Sequence, residues 1–256
     1  MRADLERLVR IPSVSAQAFD QAHVDASAEA VADLLRQAGL DVEIVREGGA
    51  PAVIGHLAGP EGAPTVLLYA HHDVQPPGDD ADWTSPPFEP AERDGRLYGR
   101  GAADDKAGVM AHLAALRAHD GRPPVGVTVF VEGEEEDGSP SLGGILRAHR
   151  DRLTADVLVL ADSMNWKIGT PALTTTLRGL VEAYVDVRTL DHAVHSGMYG
   201  GAALDATTAM IRLLGTLHDE RGEVAVAGLH SGTAADLPYD EAEPAGGRRG
   251  ARRRRA

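Results

Sequence analysis

The stretch from Leu67 to Pro76 constrains the fold of this chain more than any other, and it reads Leu-Leu-Tyr-Ala-His-His-Asp-Val-Gln-Pro. Its apolar run stops at His71, and Asp73 follows two residues later. A short apolar run with this ending predicts a buried strand that carries both polar side chains to its carboxyl end, where ligands collect in open α/β sheets. Three acidic groups further along the chain could supply partners for the pair: Asp104, Glu135-Glu136 and Asp162.

Strand and helix patterns alternate around this stretch. Apolar runs predict strands over residues 42–45, 52–57, 65–70, 126–131 and 156–160. Amphipathic periodicity predicts helices over residues 2–9, 22–38, 106–118 and 142–149. Because such alternation is typical of an α/β layer, we predict an α/β fold with a mostly parallel sheet.

The character of the sequence changes after residue 176. Residues 181–187 alternate between apolar and polar side chains, and residues 204–217 are predicted to form an amphipathic helix. Four apolar side chains lie along one side of that helix: Met210, Leu213, Leu214 and Leu217. We therefore place the start of a second domain at about Gly179.

Composition restricts the kind of site that this chain can build. With 256 residues and 43% hydrophobic content, the chain is long enough for one large domain, or for one medium domain and part of a second. The sequence has no cysteine, so a metal site must use histidine, aspartate and glutamate. The absence of cysteine also fits a cytoplasmic enzyme. The charged first fifteen residues do not resemble a secretory signal, and no apolar stretch is long enough for a membrane span.

The charge is distributed unevenly. The net charge is -14, but six of the 25 basic residues are arginines within residues 248–255. Without them, 19 basic residues face 39 acidic ones, a net charge of -20. A chain that is this acidic outside its tail repels nucleic-acid phosphates and tolerates cations. We therefore expect neither nucleic acid nor a membrane as a partner. The alternative, binding through the arginine tail, predicts salt-sensitive association that is lost with the tail.

Each candidate site residue also has an ordinary structural interpretation. A histidine at a strand end, such as His71, is more often a satisfied polar residue than a ligand. Asp104 could be a helix N-cap, because carboxylates accept hydrogen bonds from the free N–H groups there. Residues 132–137 could be a solvated acidic loop, yet they directly follow an apolar strand. Asp162 and His195 carry little signal outside their surrounding motifs.

Taken together, the motifs resemble the M20 family of metallopeptidases, and within it the dipeptidase branch. The resemblance covers roughly residues 2–243. The motifs occur in family order, which makes the match specific. They are His71-His72-Asp73-Val74-Gln75-Pro76, Tyr98-Gly99-Arg100-Gly101-Ala102-Ala103-Asp104-Asp105-Lys106, Glu132-Gly133-Glu134-Glu135-Glu136-Asp137-Gly138-Ser139, Asp162, Leu177-Arg178-Gly179 and His195-Ser196-Gly197-Met198-Tyr199-Gly200-Gly201.

This resemblance implies a metal-ligand set. His71 would bind one ion together with Asp162, Asp104 would bridge two ions, and Glu136 would bind the second. Asp73 would support His71 from behind and fix its tautomer. The ions would be zinc, with cobalt or manganese as alternatives.

The resemblance also implies catalytic roles and a backbone feature. Glu135 would be the general base that takes a proton from the bridging water and passes it to the leaving amine. The peptide bond between Asp104 and Asp105 would be cis. His195 resembles the lid histidine that reaches the active site of a neighbouring subunit in a homodimer and polarises the substrate carbonyl.

The implied activity is metal-dependent hydrolysis of the amide bond in dipeptides or short peptides. Two alternatives stay open: an amidohydrolase that removes an acyl or carbamoyl group from an amino acid, and a catalytically inactive truncated fragment. The implied fold is a zinc-peptidase-like α/β catalytic domain, with helices on both faces of the sheet, followed by an α+β lid.

The resemblance divides the chain into a catalytic domain at residues 1–178, a partial lid and dimerisation domain at 179–243, and a tail at 244–256. Family members are longer, and their returning segment carries a last histidine ligand, the partner of Glu136. From residue 245 onward the sequence contains only alanine, glycine and arginine. Our hypothesis is that this end is frameshifted or otherwise foreign; the alternative is a disordered basic extension.

Overall fold

The computed structural model describes residues 1–163, 165, 169–174, 177, 179–229 and 232. The chain divides into two compact units, Met1–Trp166 and Lys167–Ala256. The assignment of residues 1–178 to a catalytic domain and of 179–243 to a lid stays a prediction. The predicted disordered tail at 244–256 lies outside the described residues, as do Arg178 and residues 233–243 of the predicted lid.

A five-stranded sheet forms the centre of the first unit. Its strands are β1 (Asp41–Val45), β2 (Ala52–Leu57), β3 (Thr65–His71), β6 (Gly126–Glu132) and β7 (Val157–Leu160), in the order β1-β2-β6-β3-β7. The strands β4 (Ala91–Arg93) and β5 (Arg96–Tyr98) form a separate hairpin. The predicted α/β fold is confirmed.

The half of the sheet that carries the candidate site is parallel. Strand β3 pairs in parallel with β6 on one side and with β7 on the other. Strand β2 pairs antiparallel with both β1 and β6. Only the short segment 46–51 separates β1 from β2, and such a link allows a hairpin but not the crossover that a parallel pair requires.

Helices cover both faces of the sheet, as expected. One face packs against α1 (Arg2–Val9), α2 (Ala22–Gln37) and α3 (Lys106–Ala118), whose buried side chains form one core cluster with the strands. The other face packs against α4 (Leu142–Ala148) and α5 (Arg150–Leu153) through a smaller cluster around Ile145 and Phe130.

Helix α2 shows how local sequence ends an element. Gly39 has a φ of +94°, and the N–H of Leu40 donates to the carbonyl oxygen of Leu35 at 3.1 Å. This is the usual way in which a left-handed glycine satisfies the last free carbonyl groups of a helix. The predicted end of the helix at residue 38 is correct to within one residue.

The second unit contains α6 (Ser196–Tyr199) and α7 (Ala206–Gly215) among its described residues. Helix α7 starts later than the predicted residue 204 because Asp205 caps it, its Oδ2 accepting from the N–H of Thr208 at 2.7 Å. The alternating residues 181–187 form no strand, since a strand needs a hydrogen-bonded neighbour and no described residue pairs with them. Within the described residues, no helix is both long enough and apolar enough to cross a bilayer.

Candidate metal centre

His71 lies at the centre of a group of carboxylates. It is the last residue of β3, and its side chain is fully buried. Its Nε2 lies 3.1 Å from Oδ1 of Asp104 and 3.9 Å from Oε2 of Glu135. Its backbone N–H donates to Oδ2 of Asp105 at 3.2 Å. The imidazole therefore faces negative charge at one end and is anchored through its backbone.

Two sets of possible ligands meet at this histidine. His71, Asp104 and Glu136 have ligand atoms within 4.8 Å of one another, and so do His71, Glu135 and Asp162. Zinc bonds of about 2.0–2.2 Å place the ligand atoms of one ion within roughly 4.4 Å of one another, so either set could close on an ion by a small contraction. The structure thus brings together all the predicted metal ligands and the predicted base.

The strand topology explains this convergence. Strands β3, β6 and β7 are parallel and end at the same edge of the sheet. The pair Glu135 and Glu136 lies in the turn just beyond β6, and Asp162 lies two residues beyond β7. Asp104 comes from the segment that leads into α3.

Asp73 connects the histidine to the acidic turn. It is fully buried, and its Oδ1 lies 3.3 Å from Nδ1 of His71, as expected for a supporting carboxylate. The same Oδ1 accepts from the N–H of Glu135 at 3.2 Å, and Oδ2 accepts from the N–H of Glu136 at 3.1 Å. Neither of these two contacts was predicted from the sequence. The carboxylate of Asp73 therefore positions the predicted ligands His71 and Glu136 and the predicted base Glu135.

Charge in this region favours a cation. Burial alone would lower the pKa of His71, but its hydrogen bond to Asp73 and the charges of Asp73, Asp105 and Glu135 outweigh burial and raise the pKa to about 10. Burial would likewise raise the pKa of Asp73, but hydrogen bonds from His71 and Ser15 bring it below its usual value. Asp73 is therefore held as a carboxylate, and the site attracts positive charge.

Glu135 has the electrostatic setting of a base. Its side chain is half-buried, and burial raises its pKa above the usual value. The charge of His71 opposes this rise, whereas the nearby carboxylates Asp162 and Glu136 add to it. A carboxylate whose pKa moves toward neutrality is a better proton acceptor and donor near physiological pH.

Asp104 and Asp105 are joined by a cis peptide bond, as the family resemblance implied. The side chain of Asp104 is exposed, and the N-cap position of α3 is occupied by Asp105. The N-cap interpretation of Asp104 is therefore wrong. Burial raises the pKa of Asp105 to about 7. Its hydrogen bond from the N–H of His71 was not predicted from the sequence.

The acidic run at residues 132–137 is not a solvated loop. Glu132 is fully buried and accepts from the hydroxyl of Tyr69 at 2.9 Å. Glu134 is also buried, and it accepts from the N–H groups of Ala50 at 2.9 Å and Ser141 at 2.7 Å. Hydrogen bonds inside the protein therefore hold both of these acids, whereas Glu135 and Glu136, which follow them, belong to the ligand sets around His71.

Two residues in the motifs have structural roles that the sequence did not indicate. Gln75 donates through Nε2 to Oε2 of Glu136 at 2.7 Å. Lys106 is fully buried and donates to the carbonyl oxygens of Leu8 and Ile11, both at 2.8 Å. Their position inside the family motifs was the only available signal, since neither contact follows from strand or helix periodicity.

His195 lies in the second unit, directly before α6. Its side chain is exposed, and its Nδ1 accepts from the N–H of Gly197 at 3.1 Å. Its role toward a substrate stays a prediction.

Gly108 provides a test of the packing under the site. A Cβ atom at this position in α3 would lie 2.2 Å from Oδ1 and 2.6 Å from Oδ2 of Asp105. Alanine normally favours a helix interior over glycine by about 1 kcal/mol. For Gly108→Ala we expect the opposite sign, a loss of about 1–3 kcal/mol in the free energy of unfolding, because the new methyl group displaces the buried carboxylate.

Chemical denaturation of the metal-free protein measures this effect. Gly143→Ala in α4 is the matched control, since its Cβ would meet only the flexible end of Arg147, at 3.4 Å. It should leave the free energy of unfolding unchanged or raise it. A Gly108→Ala protein as stable as the wild type would show that the Asp105 carboxylate is not held where the structure places it.

The chain is similar to known proteins over most of its length. Residues 67–245 match the family described as peptidase family M20/M25/M40. A cysteinylglycine-S-conjugate dipeptidase from Corynebacterium striatum is 43% identical over 226 residues, which cover 85% of this chain and 50% of the relative. A Beta-Ala-His dipeptidase from Mus musculus is 33% identical over 228 residues, covering 83% of this chain and 46% of the relative.

Among solved structures, an M20 family metallo-carboxypeptidase from Sulfolobus solfataricus superposes with a TM-score of 0.73 at 25% identity, over 89% of this chain and 52% of the other. The chain spans about half the length of the curated relatives it matches.

Proposed function

Because the chain belongs to peptidase family M20/M25/M40, we propose that it serves the metal-dependent hydrolysis of the amide bond in dipeptides or short peptides. The printed names of the two relatives, a cysteinylglycine-S-conjugate dipeptidase and a Beta-Ala-His dipeptidase, support this substrate class. The observation that carries the proposal is the pair of ligand sets that share His71, one of which includes Glu135.

The donor set fits divalent metal ions. It offers one imidazole and several carboxylates, which are ligands for zinc and for other borderline or hard divalent ions. We propose that His71 and Asp162 would hold one ion, that Glu136 would hold a second, and that Asp104 would serve both. We propose zinc as the metal. When bound, such ions polarise a carbonyl oxygen and lower the pKa of water.

The side chains of the chain carry the remaining steps. Glu135 takes a proton from the attacking water on its carboxylate and returns it to the nitrogen of the leaving amine. Asp73 fixes the imidazole by its contact with Nδ1, so that Nε2 is the atom presented to the carboxylates. His195 is proposed to polarise the substrate carbonyl from a neighbouring subunit of a homodimer, on the strength of the motif around it.

Removal and return of metal test this function. Amine release from Cys-Gly and from β-Ala-His is measured for the zinc-loaded chain, after chelation, and after zinc is restored. We expect chelation to abolish hydrolysis and zinc to restore it, because the water nucleophile depends on the ions.

The control substrates are an N-acyl and an N-carbamoyl amino acid. Turnover of these without turnover of dipeptides would support the amidohydrolase alternative. Dipeptide hydrolysis that persists in protein shown by elemental analysis to be free of metal would contradict the proposal.

A further inference from the structure

We propose that Gln75 is a positioning residue that fixes the carboxylate of Glu136 and thereby sets the affinity of the metal position to which Glu136 contributes. The inference rests on the proposed metal-binding role of Glu136. It concerns a residue outside the predicted ligand set, and it follows from two contacts made by one side-chain amide.

Both ends of Glu136 meet the amide of Gln75. Its Nε2 donates to the backbone carbonyl oxygen of Glu136 at 3.1 Å and to Oε2 of the same residue at 2.7 Å. Both partners are acceptors, so only the NH₂ group of the amide, and not its oxygen, can face them. A single donor group thus folds the glutamate side chain back toward its own backbone and restricts its rotamers.

A third contact completes the restraint. The backbone N–H of Glu136 donates to Oδ2 of Asp73 at 3.1 Å. The N–H, the carbonyl group and the carboxylate of this one residue are therefore all held by side chains from positions 73 and 75. The strand-end motif that supplies His71 also orients a ligand that arrives from another strand.

The backbone of Gln75 is itself fixed. Pro76 follows it, and a residue before proline is restricted to extended conformations. The carbonyl oxygen of Pro76 accepts from Arg100 at 3.1 Å, and that of Pro77 accepts from Nε1 of Trp83 at 2.8 Å. The guanidinium of Arg100 also lies 5.4 Å from the centre of the Trp83 ring. This support keeps the amide within reach of Glu136.

Core packing does not explain this arrangement. Gln75 is exposed, so its side chain contributes little buried area. Partners that orient metal ligands commonly change metal affinity by about 10–100-fold when they are removed, although they never touch the ion. The same effect is expected here, and only for the ion that Glu136 binds.

The test is a zinc titration of the full chain against a chromogenic competitor. Gln75→Met keeps the length of the side chain and removes the donor. We expect it to weaken one zinc position by about 10–100-fold and to leave the other unchanged. Thermal unfolding of the metal-free variant should match the wild type, since the side chain is exposed. Gln37→Met, at the exposed end of α2, is the matched control and should change neither zinc position.

A double-mutant cycle separates positioning from a general structural effect. In a Glu136→Ala background, adding Gln75→Met should cause no further loss of zinc affinity, because the amide acts only through Glu136. A further loss equal to that in the wild-type background would overturn the inference.

The outcomes also distinguish this inference from the proposed function. If the wild type binds two zinc ions and Gln75→Met binds both equally well, the inference is wrong and the proposed function stands. If the wild type binds no zinc, both are wrong.

Discussion

Replacing Glu135 with glutamine is expected to lower the rate of dipeptide hydrolysis by about 10²–10⁴-fold while the metal stays bound. Glutamine has the same shape as glutamate but cannot accept the proton of the attacking water. The backbone of residue 135 is held by Asp73 through its N–H, at 3.2 Å, so the substitution should not move the turn. Steady-state kinetics of the zinc-loaded variant, together with its zinc content, measure the effect.

The control for this variant is Glu61→Gln, which makes the same chemical change on an exposed loop. It should hydrolyse dipeptides at the wild-type rate. Because Glu135 lies within ligand distance of His71 and Asp162, a second outcome is informative. Loss of zinc from Glu135→Gln would reassign Glu135 to the ligand set, and unchanged turnover would remove it from the mechanism.

Replacing His71 with alanine is expected to remove one zinc ion per chain and to lower the affinity at that position by more than about 100-fold. This exceeds the 10–100-fold loss typical of residues that only support a ligand. The imidazole is the only histidine ligand in either of the two ligand sets found among the described residues. Its loss also leaves Asp104 and Glu135 without the group that both approach.

Elemental analysis after equilibration with zinc measures this prediction, and circular dichroism shows whether the variant is folded. His23→Ala is the matched control, because His23 is exposed near the start of α2. It should bind as much zinc as the wild type. A folded His71→Ala protein that keeps the wild-type zinc content would place the metal elsewhere.

Much of the fold could be predicted from local pattern. The boundaries of α1 and α3 match their predictions, and those of α2, α4 and β3 differ by one residue. These elements combine clear periodicity with a stop signal such as Gly39 or a strand-end histidine. The antiparallel β1–β2 pair departs from the parallel part of the sheet because only residues 46–51 join the two strands, which is too short a link for the crossover of a parallel pair.

The candidate site was likewise only partly predictable from the sequence. Residues at or just beyond strand ends, such as His71, Glu136 and Asp162, could be found because the carboxyl ends of parallel strands meet at one edge. The contacts that orient these residues could not be predicted. Asp73 reaches the backbone of Glu135 across 62 positions, and Gln75 reaches Glu136 across 61. Such contacts depend on tertiary geometry, and no spacing in the sequence predicts them.

We propose that His71 and the carboxylates around it hold two divalent ions. Anomalous diffraction at the zinc absorption edge, from crystals of the zinc-loaded chain, tests it most directly because it locates the ions. The expected map has two peaks, one beside His71 and Asp162 and one beside Glu136, with Asp104 between them. Peaks bound elsewhere on the chain, or a map with none beside His71, would contradict the claim.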